Sequence, residues 1–323
     1  MKIFKVNKTN NENDLIHWKC LLRELLAEFI GTFMLMLIGC SAGVTTSNNP
    51  KNDPNFRSDL WSSNICWGFG AFVGLCASFN ITGGHINPAV SIAMATIGKF
   101  QWKKVMPYIL AQILAAIIAP AIIYYVYIDV IELQNNHILI RNNTQLQTYG
   151  HNLSTGKFFA TYPQEYVTLF GSIIDQVVGT ASLLFSVCAV TDEKNLNIPK
   201  PLQPFCLAFV ITCHAIAFNS NEGAPLNPAR DLGPRIFSAM VIYGKHAFTA
   251  LNGNYWWSGG IVGPVIGAIV GVWTYFFFIE LPWPKDKCID NINSETLPQI
   301  NTVFSINNDI EKNNHNNQTK SQF

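Results

Sequence analysis

The chain has 323 residues, of which 49% are apolar and only 13% are charged, and its formal net charge is +1. Because soluble domains usually carry about 25% charged residues, this composition predicts a membrane protein and argues against a soluble domain. The sequence has no basic stripe of the kind that binds nucleic acid, so nucleic acid is not expected as a partner. Its eight cysteines show neither a disulfide framework nor metal-ligand spacing, and no metal is expected.

Six long apolar stretches follow a polar segment, residues 1–20, that lacks the features of a cleaved signal peptide. Each is long enough, or nearly so, to cross a bilayer as a helix of about 20 residues. They lie at residues 25–44, 60–79, 107–128, 167–190, 202–218 and 256–279. Two shorter runs, 89–97 and 228–242, fall outside this set. As a helix the first would be about 13 Å long, less than half of a hydrocarbon core about 30 Å thick.

A short motif stands directly before each half-length run. GHINPAV at 84–90 returns as APLNPAR at 224–230, and the two asparagines, Asn87 and Asn227, lie 140 residues apart. In each copy a loop leads to an Asn that can cap a helix, with Pro at the first helical position. Three spans separate the copies, so the second half is inserted upside down relative to the first. The predicted fold is all-α, with six transmembrane helices and two re-entrant half-helices that meet at the bilayer midplane.

The distribution of Lys and Arg predicts the orientation of this fold under the positive-inside rule. With a cytoplasmic N-terminus, fourteen of these residues lie inside and six outside. Both termini are therefore expected in the cytoplasm of a multi-pass protein of the cell membrane. The first loop, residues 83–87, then enters the bilayer from the cytoplasm, and the second loop, residues 223–227, enters it from outside.

The segments outside the spans carry three weaker signals. The predicted outer connection, residues 129–166, is polar and contains two sequons, which make Asn142 and Asn152 candidate N-glycosylation sites. The asparagine-rich segment 281–323 lacks periodicity and is predicted to be a disordered cytoplasmic tail. In the last span, glycines at 259, 263, 267 and 271 form a smooth stripe that allows another helix to approach closely.

Two Asn-Pro-Ala motifs in an inverted six-span repeat resemble the aquaporin, or major intrinsic protein, family, over residues 21–279. The residues that carry the motifs are Asn87, Pro88, Ala89, Asn227, Pro228 and Ala229. Asp231 and Arg235, which follow the second motif, resemble the markers of the glycerol-conducting branch, the aquaglyceroporins. The stretches AEFIGT at 27–32 and DQVVGT at 175–180 are similar to the two copies of the family's first helix.

This resemblance implies a channel domain at residues 21–280, with repeat halves at about 21–128 and 167–279. It also implies one pore in each subunit of a homotetramer. Asn87 and Asn227 would each use the carboxamide oxygen as a cap and turn the NH2 group toward the lumen. The two half-helices would face each other with their N-termini, each carrying about half a positive charge, so the midplane would repel cations and protons.

The resemblance also locates a selectivity filter near the outer mouth. Arg230 supplies a charge and hydrogen-bond donors, and Trp67, twenty residues before Asn87, matches the position of an apolar wall on the opposite side. Ala224 and Ala215 stand where glycerol channels often carry an aromatic residue and a glycine, respectively. The missing aromatic ring predicts a wider filter. Asp231 and Arg235 are expected to hold structure rather than to touch solute.

A few titratable and polar residues lie at the predicted membrane depth. His85 is either a pH-sensitive element on the cytoplasmic side or a neutral side chain that ties down the first loop. Glu28 is expected to accept hydrogen bonds from a loop, and Gln176 is its partner in the second repeat. His214 either lines the lumen or packs against neighbouring helices.

The leading hypothesis is a passive channel for glycerol, water and other small neutral solutes such as urea, embedded in the lipid bilayer. A water-selective pore is the alternative within the same fold. A proton-coupled transporter would need a titratable pair at the substrate site, and none is evident. An enzyme is disfavoured because no spacing of a nucleophile and a base emerges, so neither catalysis nor a cofactor is expected.

Overall fold

The computed structural model describes the backbone of residues 8–47, 60–142 and 154–283, and the side chains of 18–47, 61–136 and 154–283. Six of the described helices are long and apolar enough to cross a membrane, and they match the six predicted spans. They run over Trp18–Ser47, Trp61–Thr82, Trp102–Val126, Leu169–Thr191, Lys200–Ala217 and Tyr255–Glu280.

Eleven α-helices occur in the described part of the chain. Their bounds are α1 Lys8–Ser47, α2 Leu60–Thr82, α3 Pro88–Thr96, α4 Trp102–Val126, α5 Ile128–Asn142, α6 Leu169–Thr191, α7 Gln203–Ala217, α8 Asn219–Glu222, α9 Pro228–Ser238, α10 Tyr255–Trp257 and α11 Gly263–Tyr275. Short 3-10 helices cover Thr155–Phe158, Lys200–Leu202 and Gly244–Phe248. Three π-helical segments cover Ala239–Tyr243, Ser258–Val262 and Phe276–Glu280.

The first compact unit ends at Tyr275 and contains both repeats. Within it α1 packs on α2 and α4, and α6 packs on α7 and α11. Each half-helix also packs on the last span of the opposite repeat, α3 on α11 and α9 on α4. The second unit begins at Phe276, and its described residues, 276–283, form one π-helical segment and a turn.

Two helices are longer than hydropathy predicts. Helix α1 begins at Lys8, so residues 8–20 of the predicted N-terminal segment are helical. Backbone hydrogen bonds do not require apolar side chains, and a helix can continue beyond the apolar part of a span. Helix α4 begins at Trp102 rather than at 107. Its polar first turns are stabilised by Lys104, whose Nζ lies 2.8 Å from both carboxylate oxygens of Glu24 on α1.

The predicted polar connection contains structure that the sequence did not indicate. Helix α5 occupies residues 128–142, and Ile131 on it is fully buried. Asn135 of this helix accepts a hydrogen bond from Thr155 at 2.7 Å, which joins α5 to the 3-10 helix that follows. Asn142 is the last residue of α5, while Asn152 lies outside the described residues. The predicted tail is outside the described residues from 284 onward.

The glycine stripe of the last span packs against α6, as the sequence predicts. A Cβ atom on Gly267 would lie 2.5 Å from the carbonyl oxygen of Val177, and one on Gly271 would lie 2.2 Å from that of Ala181. Both distances are shorter than van der Waals contact. Only residues without a side chain allow the two helices to lie this close.

Candidate functional site

Each Asn of the repeated motif donates a hydrogen bond to the backbone of the loop in the other repeat. Asn87 caps α3 through Oδ1, which accepts from the amide of Ala89 at 2.9 Å, and Asn227 caps α9 through the amide of Ala229 at 3.0 Å. Asn87 Nδ2 donates to the carbonyl of Leu226 at 3.0 Å, and Asn227 Nδ2 donates to the carbonyl of Ile86 at 2.9 Å. Each carboxamide NH2 carries two hydrogens. One hydrogen therefore joins the two repeats, and the other remains for the cavity that both residues line.

The loops before the two Asn residues have an unusual backbone. Ile86 and Leu226, which directly precede Asn87 and Asn227, have φ of 42° and 49°, and Ala224 has φ of 50°. Non-glycine residues seldom adopt this left-handed conformation, which costs on the order of 1–3 kcal/mol when the surroundings must enforce it. Ile86 and Leu226 occupy the same position in the two repeats, so the left-handed conformation is a structural feature that both loops share.

Side chains from the first span of each repeat hold these loops. Glu28 accepts hydrogen bonds from the amides of His85 at 3.0 Å and Ile86 at 2.7 Å. Its carboxylate also accepts from the Thr82 hydroxyl at 2.5 Å and from Gln112 Nε2 at 2.7 Å. All four bonds end on one buried carboxylate, which is therefore fully satisfied.

In the second repeat Gln176 holds the loop in a similar way, through one of its backbone amides. Its Oε1 accepts a hydrogen bond from the amide of Leu226 at 3.0 Å, while its Nε2 donates to Asp175 at 2.7 Å. Ile86 and Leu226 are equivalent positions in the two repeats. Glu28 and Gln176 thus hold the same backbone amide in their respective halves.

The two histidines at membrane depth differ in their surroundings. His85 lines the cavity, its Nδ1 lies 3.0 Å from Ser91 Oγ, and its ring centroid lies 4.6 Å from that of Phe100. These contacts tie His85 to α3 and to the segment before α4. His214 bonds to the carbonyl of Val210 at 2.8 Å and to Ser182 Oγ at 3.0 Å. His214 therefore packs against neighbouring helices, which is one of the two alternatives that the sequence leaves open.

One elongated cavity of about 490 Å³ passes the pair of Asn residues. At one end, here named the Lys99 end, it is lined by Lys99, Glu193 and Lys200. At the other, the Arg230 end, it is lined by Trp67 and Arg230. Between the ends lie the two loops and apolar side chains of both repeats. The cavity thus connects polar mouths through a lining with few polar side chains.

A second cavity of about 790 Å³ adjoins the first at the Arg230 end. The two share the lining residues Asn64, Trp67, Gly223 and Arg230. Residues of the segment 154–166 form much of the wall of this second cavity. This second cavity, which joins the first at the four shared residues, is here named the vestibule.

Trp67 and Arg230 are in contact, which differs from the predicted arrangement on opposite walls. The Arg230 Cζ lies 4.2 Å from the centroid of the Trp67 ring, a cation–π stack without space for a solute between the two. Arg230 Nη1 also donates to the carbonyl of Phe159 at 3.3 Å. A Cβ on Gly39 would lie 2.3 Å from the Trp67 ring, so the indole occupies the space above this glycine. A solute therefore passes beside the stack.

Two of the residues that line the same cavity as Trp67 and Arg230 are small. Ala215 and Ala224 both line the elongated cavity together with Trp67 and Arg230. The structure thus brings together the four residues that the sequence places in the filter. Pro88, Ala89, Pro228 and Ala229 lie in the first turns of α3 and α9 and are buried.

Asp231 and Arg235 form a fully buried ion pair behind the constriction. Arg235 Nη2 lies 2.8 Å from Asp231 Oδ1. Asp231 Oδ1 also accepts from the amide and hydroxyl of Thr161, and Arg235 donates to the carbonyls of Thr161 and Ala247. Neither side chain is among those that line the two cavities. The pair fixes α9 to two connecting segments.

The sequence alone does not single out one buried acidic residue. Glu222, at the end of α8, is 1% exposed and lines the vestibule. The signal that could have identified it is its place in the repeat: it stands five residues before Asn227, where the first repeat has Thr82 five residues before Asn87.

Comparisons with known proteins agree with this geometry. The family model described as major intrinsic protein matches residues 15–275. Aquaporin-9 of Mus musculus is 36% identical over 289 residues, which cover 88% of this chain and 93% of the mouse protein. Aquaporin-10 of Homo sapiens is 36% identical over 273 residues, 82% of this chain and 83% of the human protein.

Among solved structures, the aquaglyceroporin from Plasmodium falciparum superimposes with a TM-score of 0.65 at 27% identity, covering 81% of this chain and 98% of that one. The family model spans both Asn-Pro-Ala motifs and all the helices that surround the elongated cavity. With its paired half-helices, its crossed Asn bonds and these matches, the chain belongs to the major intrinsic protein family.

Proposed function

We propose that the protein is a passive transmembrane channel for glycerol, water and other small uncharged solutes. The observation that carries the proposal is the elongated cavity, whose lining includes Asn87 and Asn227 as well as the polar residues Lys99, Glu193, Lys200 and Arg230. A hydroxyl that left water without a replacement partner would lose several kcal/mol. The free amide hydrogens of the two Asn residues and the carbonyls of the two loops provide that replacement in a lining that is otherwise largely apolar.

The relatives support the glycerol-conducting branch. One of the solved structures that the chain matches is named an aquaglyceroporin, and Asp231 and Arg235 resemble the branch markers. Residues 215 and 224, which line the cavity together with Trp67 and Arg230, are alanines and fill less of it than an aromatic side chain would. This space suits solutes with the width of a polyol or of urea.

Two electrostatic features of the cavity exclude ions and protons. Helices α3 and α9 begin at the crossed Asn residues, so their positive N-terminal dipole ends meet at one depth of the cavity. Arg230 adds a full positive charge at the constriction. A cation would also have to shed its hydration shell in a lining that is largely apolar and carries positive dipole ends.

The remaining assignments follow from the sequence and the family. The channel domain covers about residues 21–280, and the Lys99 end faces the cytoplasm together with both termini. Four subunits assemble in the bilayer, each with its own pore. Asn142 and Asn152, on the opposite side, are acceptors for N-linked glycans.

Swelling of proteoliposomes tests the proposal directly. Vesicles that contain the full chain should take up glycerol and water faster than empty vesicles, with flux linear in the gradient. Absence of added flux for both solutes would overturn the proposal. Water flux without glycerol flux would support the water-selective alternative, and saturable flux against a solute gradient would support a coupled transporter.

A further inference from the structure

Glu222 is a buried carboxyl group that two hydroxyls, those of Ser172 and Tyr255, face without forming a hydrogen bond of normal geometry. Neither Oε1 nor Oε2 has a partner among the described residues, although the residue is only 1% exposed. The equivalent position of the first repeat is Thr82, whose hydroxyl donates a hydrogen bond to Glu28. In that repeat the acidic residue therefore lies on the first span, α1. In the second repeat the span carries Gln176 and the loop carries the acid. The buried carboxyl group thus belongs to the spanning helix in the first repeat and to the loop before the Asn motif in the second.

The groups that face Glu222 offer no free cation. Ser172 and Asp175 face it from α6, Asp231 from α9 and Tyr255 from α10. The Asp231 carboxylate and Arg235 are bonded to each other and to Thr161. Tyr255 pairs with the Thr161 hydroxyl at 2.7 Å.

Both carboxylate oxygens of Asp175 are occupied, one by Asn221 and one by Gln176. Burial raises the pKa of Glu222 to about 8, and the charges of Asp175 and Asp231 act in the same direction, against the hydroxyls of Ser172 and Tyr255. At neutral pH the side chain is therefore mostly a neutral acid.

The last span leaves room for this acid. A Cβ on Gly259 would lie 2.7 Å from Glu222 Oε2 and 2.4 Å from Ser172 Oγ. Gly259 lies in the π-helical segment Ser258–Val262, a wider turn than an α-helix makes. The neutral carboxyl thus occupies a fitted space between α6 and the last span.

Glu222 is directly connected to the wall of the constriction. It precedes Gly223 and Ala224, whose φ values are 82° and 50°, and both line the elongated cavity. The loop is attached to α6 by the Asn221–Asp175 bond at 2.7 Å and the Leu226–Gln176 bond at 3.0 Å. Because Ala224 lies two residues after Glu222 and before the next anchor at Leu226, a backbone change at Glu222 would reach Ala224. Glu222 also lines the vestibule, as do the cations Lys157 and Arg230.

We propose that Glu222 is a pH-sensitive residue that reduces solute flux when the solution at the Arg230 end becomes alkaline. An ionised carboxylate is poorly stabilised in a buried space where the groups that face it offer two hydroxyls and no free cation. It turns into the vestibule toward Lys157 and Arg230, carries Gly223 and Ala224 with it and narrows the entrance. Protonation returns it to its place between α6 and the last span. The inference rests on the proposed channel function.

The test uses cells that express the full chain, with the bath varied from about pH 6 to about pH 10 and a buffered interior. We expect glycerol flux to fall by at least about half with a midpoint near pH 8. Glu222→Gln should conduct at every pH without this fall. Glu165→Gln, an exposed carboxyl in the same vestibule, should keep the wild-type response. The double variant Gln176→Glu/Glu222→Thr, which copies the first repeat, should conduct without the alkaline fall.

Two competing results overturn the inference while leaving the channel intact: flux that does not change with bath pH, or a fall that persists in Glu222→Gln. Lys157 is the alternative titrating group, because burial lowers its pKa. Loss of the fall in Lys157→Arg together with its retention in Glu222→Gln would assign the response to Lys157. Absence of glycerol and water flux at all pH values would instead contradict the proposed function.

An infrared difference spectrum between neutral and alkaline pH gives a readout that does not depend on flux. The protonated-carboxyl band should disappear at high pH in the wild type. Its unchanged presence in Glu222→Gln would overturn the inference.

Discussion

At the scale of single residues, each motif Asn uses every part of its carboxamide. The oxygen caps a half-helix, one amide hydrogen crosses to the other repeat, and the second hydrogen faces the cavity. The crossed bonds fix the two amides relative to each other. A solute that passes therefore meets donors in a rigid position, which lowers the reorganisation needed for each hydrogen-bond exchange.

The size of residue 224 should decide which solutes pass. Ala224→Phe adds a ring to the lining of the cavity, so we expect glycerol flux to fall about tenfold and water flux about twofold. Stopped-flow light scattering on proteoliposomes measures both. Ala224→Gly, which tolerates the φ of 50°, serves as the control and should retain both fluxes. Equal losses for water and glycerol in the Phe variant would mean that residue 224 lies away from the narrowest point.

Breaking the buried ion pair should destabilise the protein strongly. Asp231→Asn leaves the fully buried Arg235 without its countercharge, and removal of one partner of such a pair typically costs about 3–5 kcal/mol. The exposed pair of Lys200 and Glu193 provides the control. Glu193→Gln should change the stability by less than about 1 kcal/mol. Thermal unfolding in detergent compares the two, and similar midpoints would contradict the structural role of Asp231.

At the scale of the elements, the last span is shaped by its contact with α6. The glycine stripe gives close packing, and the π-helical segment at Ser258–Val262 widens the helix where Gly259 and Gly260 face Glu222 and Asp231. A regular α-helix with side chains at these positions would collide with both carboxyl groups. The last span thus accommodates the polar residues that hold the constriction.

A methyl group on the stripe should separate the two helices. In Gly271→Ala the new Cβ would lie 2.2 Å from the carbonyl oxygen of Ala181, a backbone atom that cannot turn away. We expect a loss of about 1–3 kcal/mol or more, measured as a lower unfolding temperature. In Gly171→Ala the new Cβ meets only the Thr168 side chain, at 3.2 Å. This control should stay within about 0.5 kcal/mol of the wild type, and an equal effect of both changes would refute the close approach.

At the scale of the whole molecule, each half is completed by the other. Helix α3 packs on α11, α9 packs on α4, and the Asn bonds cross between the halves. The two cavities follow this seam. Each half-helix is enclosed only by spans of both repeats together. The cavities therefore lie between the two halves, in the middle of the protein.

The pH dependence of unfolding should reflect Glu222. Its pKa is about 8 in the folded protein against an ordinary value of 4.5, so the folded state keeps a proton that the unfolded state loses. Stability from this residue is complete below 4.5, falls as the pH rises toward 8 and changes no further above it. Glu222→Gln should therefore unfold at a higher temperature than the wild type at pH 7.5, with little difference at about pH 4.5. A Gln variant that is less stable at both values would show that the carboxyl is not a neutral acid.

The sequence by itself determined the six spans, the two half-helices and their Asn caps, because hydropathy over a span and a cap beside its helix depend only on residues close in the chain. Through the resemblance to a family it also selected four residues, Trp67, Ala215, Ala224 and Arg230, that line one cavity in the structure. It missed α5, whose polar residues give no membrane signal, and it placed Trp67 and Arg230 on opposite walls.

Only the tertiary structure decided the rest, since the decisive contacts join residues far apart in the sequence. The crossed bonds of Asn87 and Asn227 link positions 139 and 141 residues apart, and neither hydropathy nor spacing predicts such a pairing. The stack of Trp67 on Arg230 depends on the space above Gly39. In the sequence Glu222 is an ordinary acidic residue of a loop. Only the fold encloses it between α6, α9 and the last span, because burial and unpaired oxygens are properties of packing.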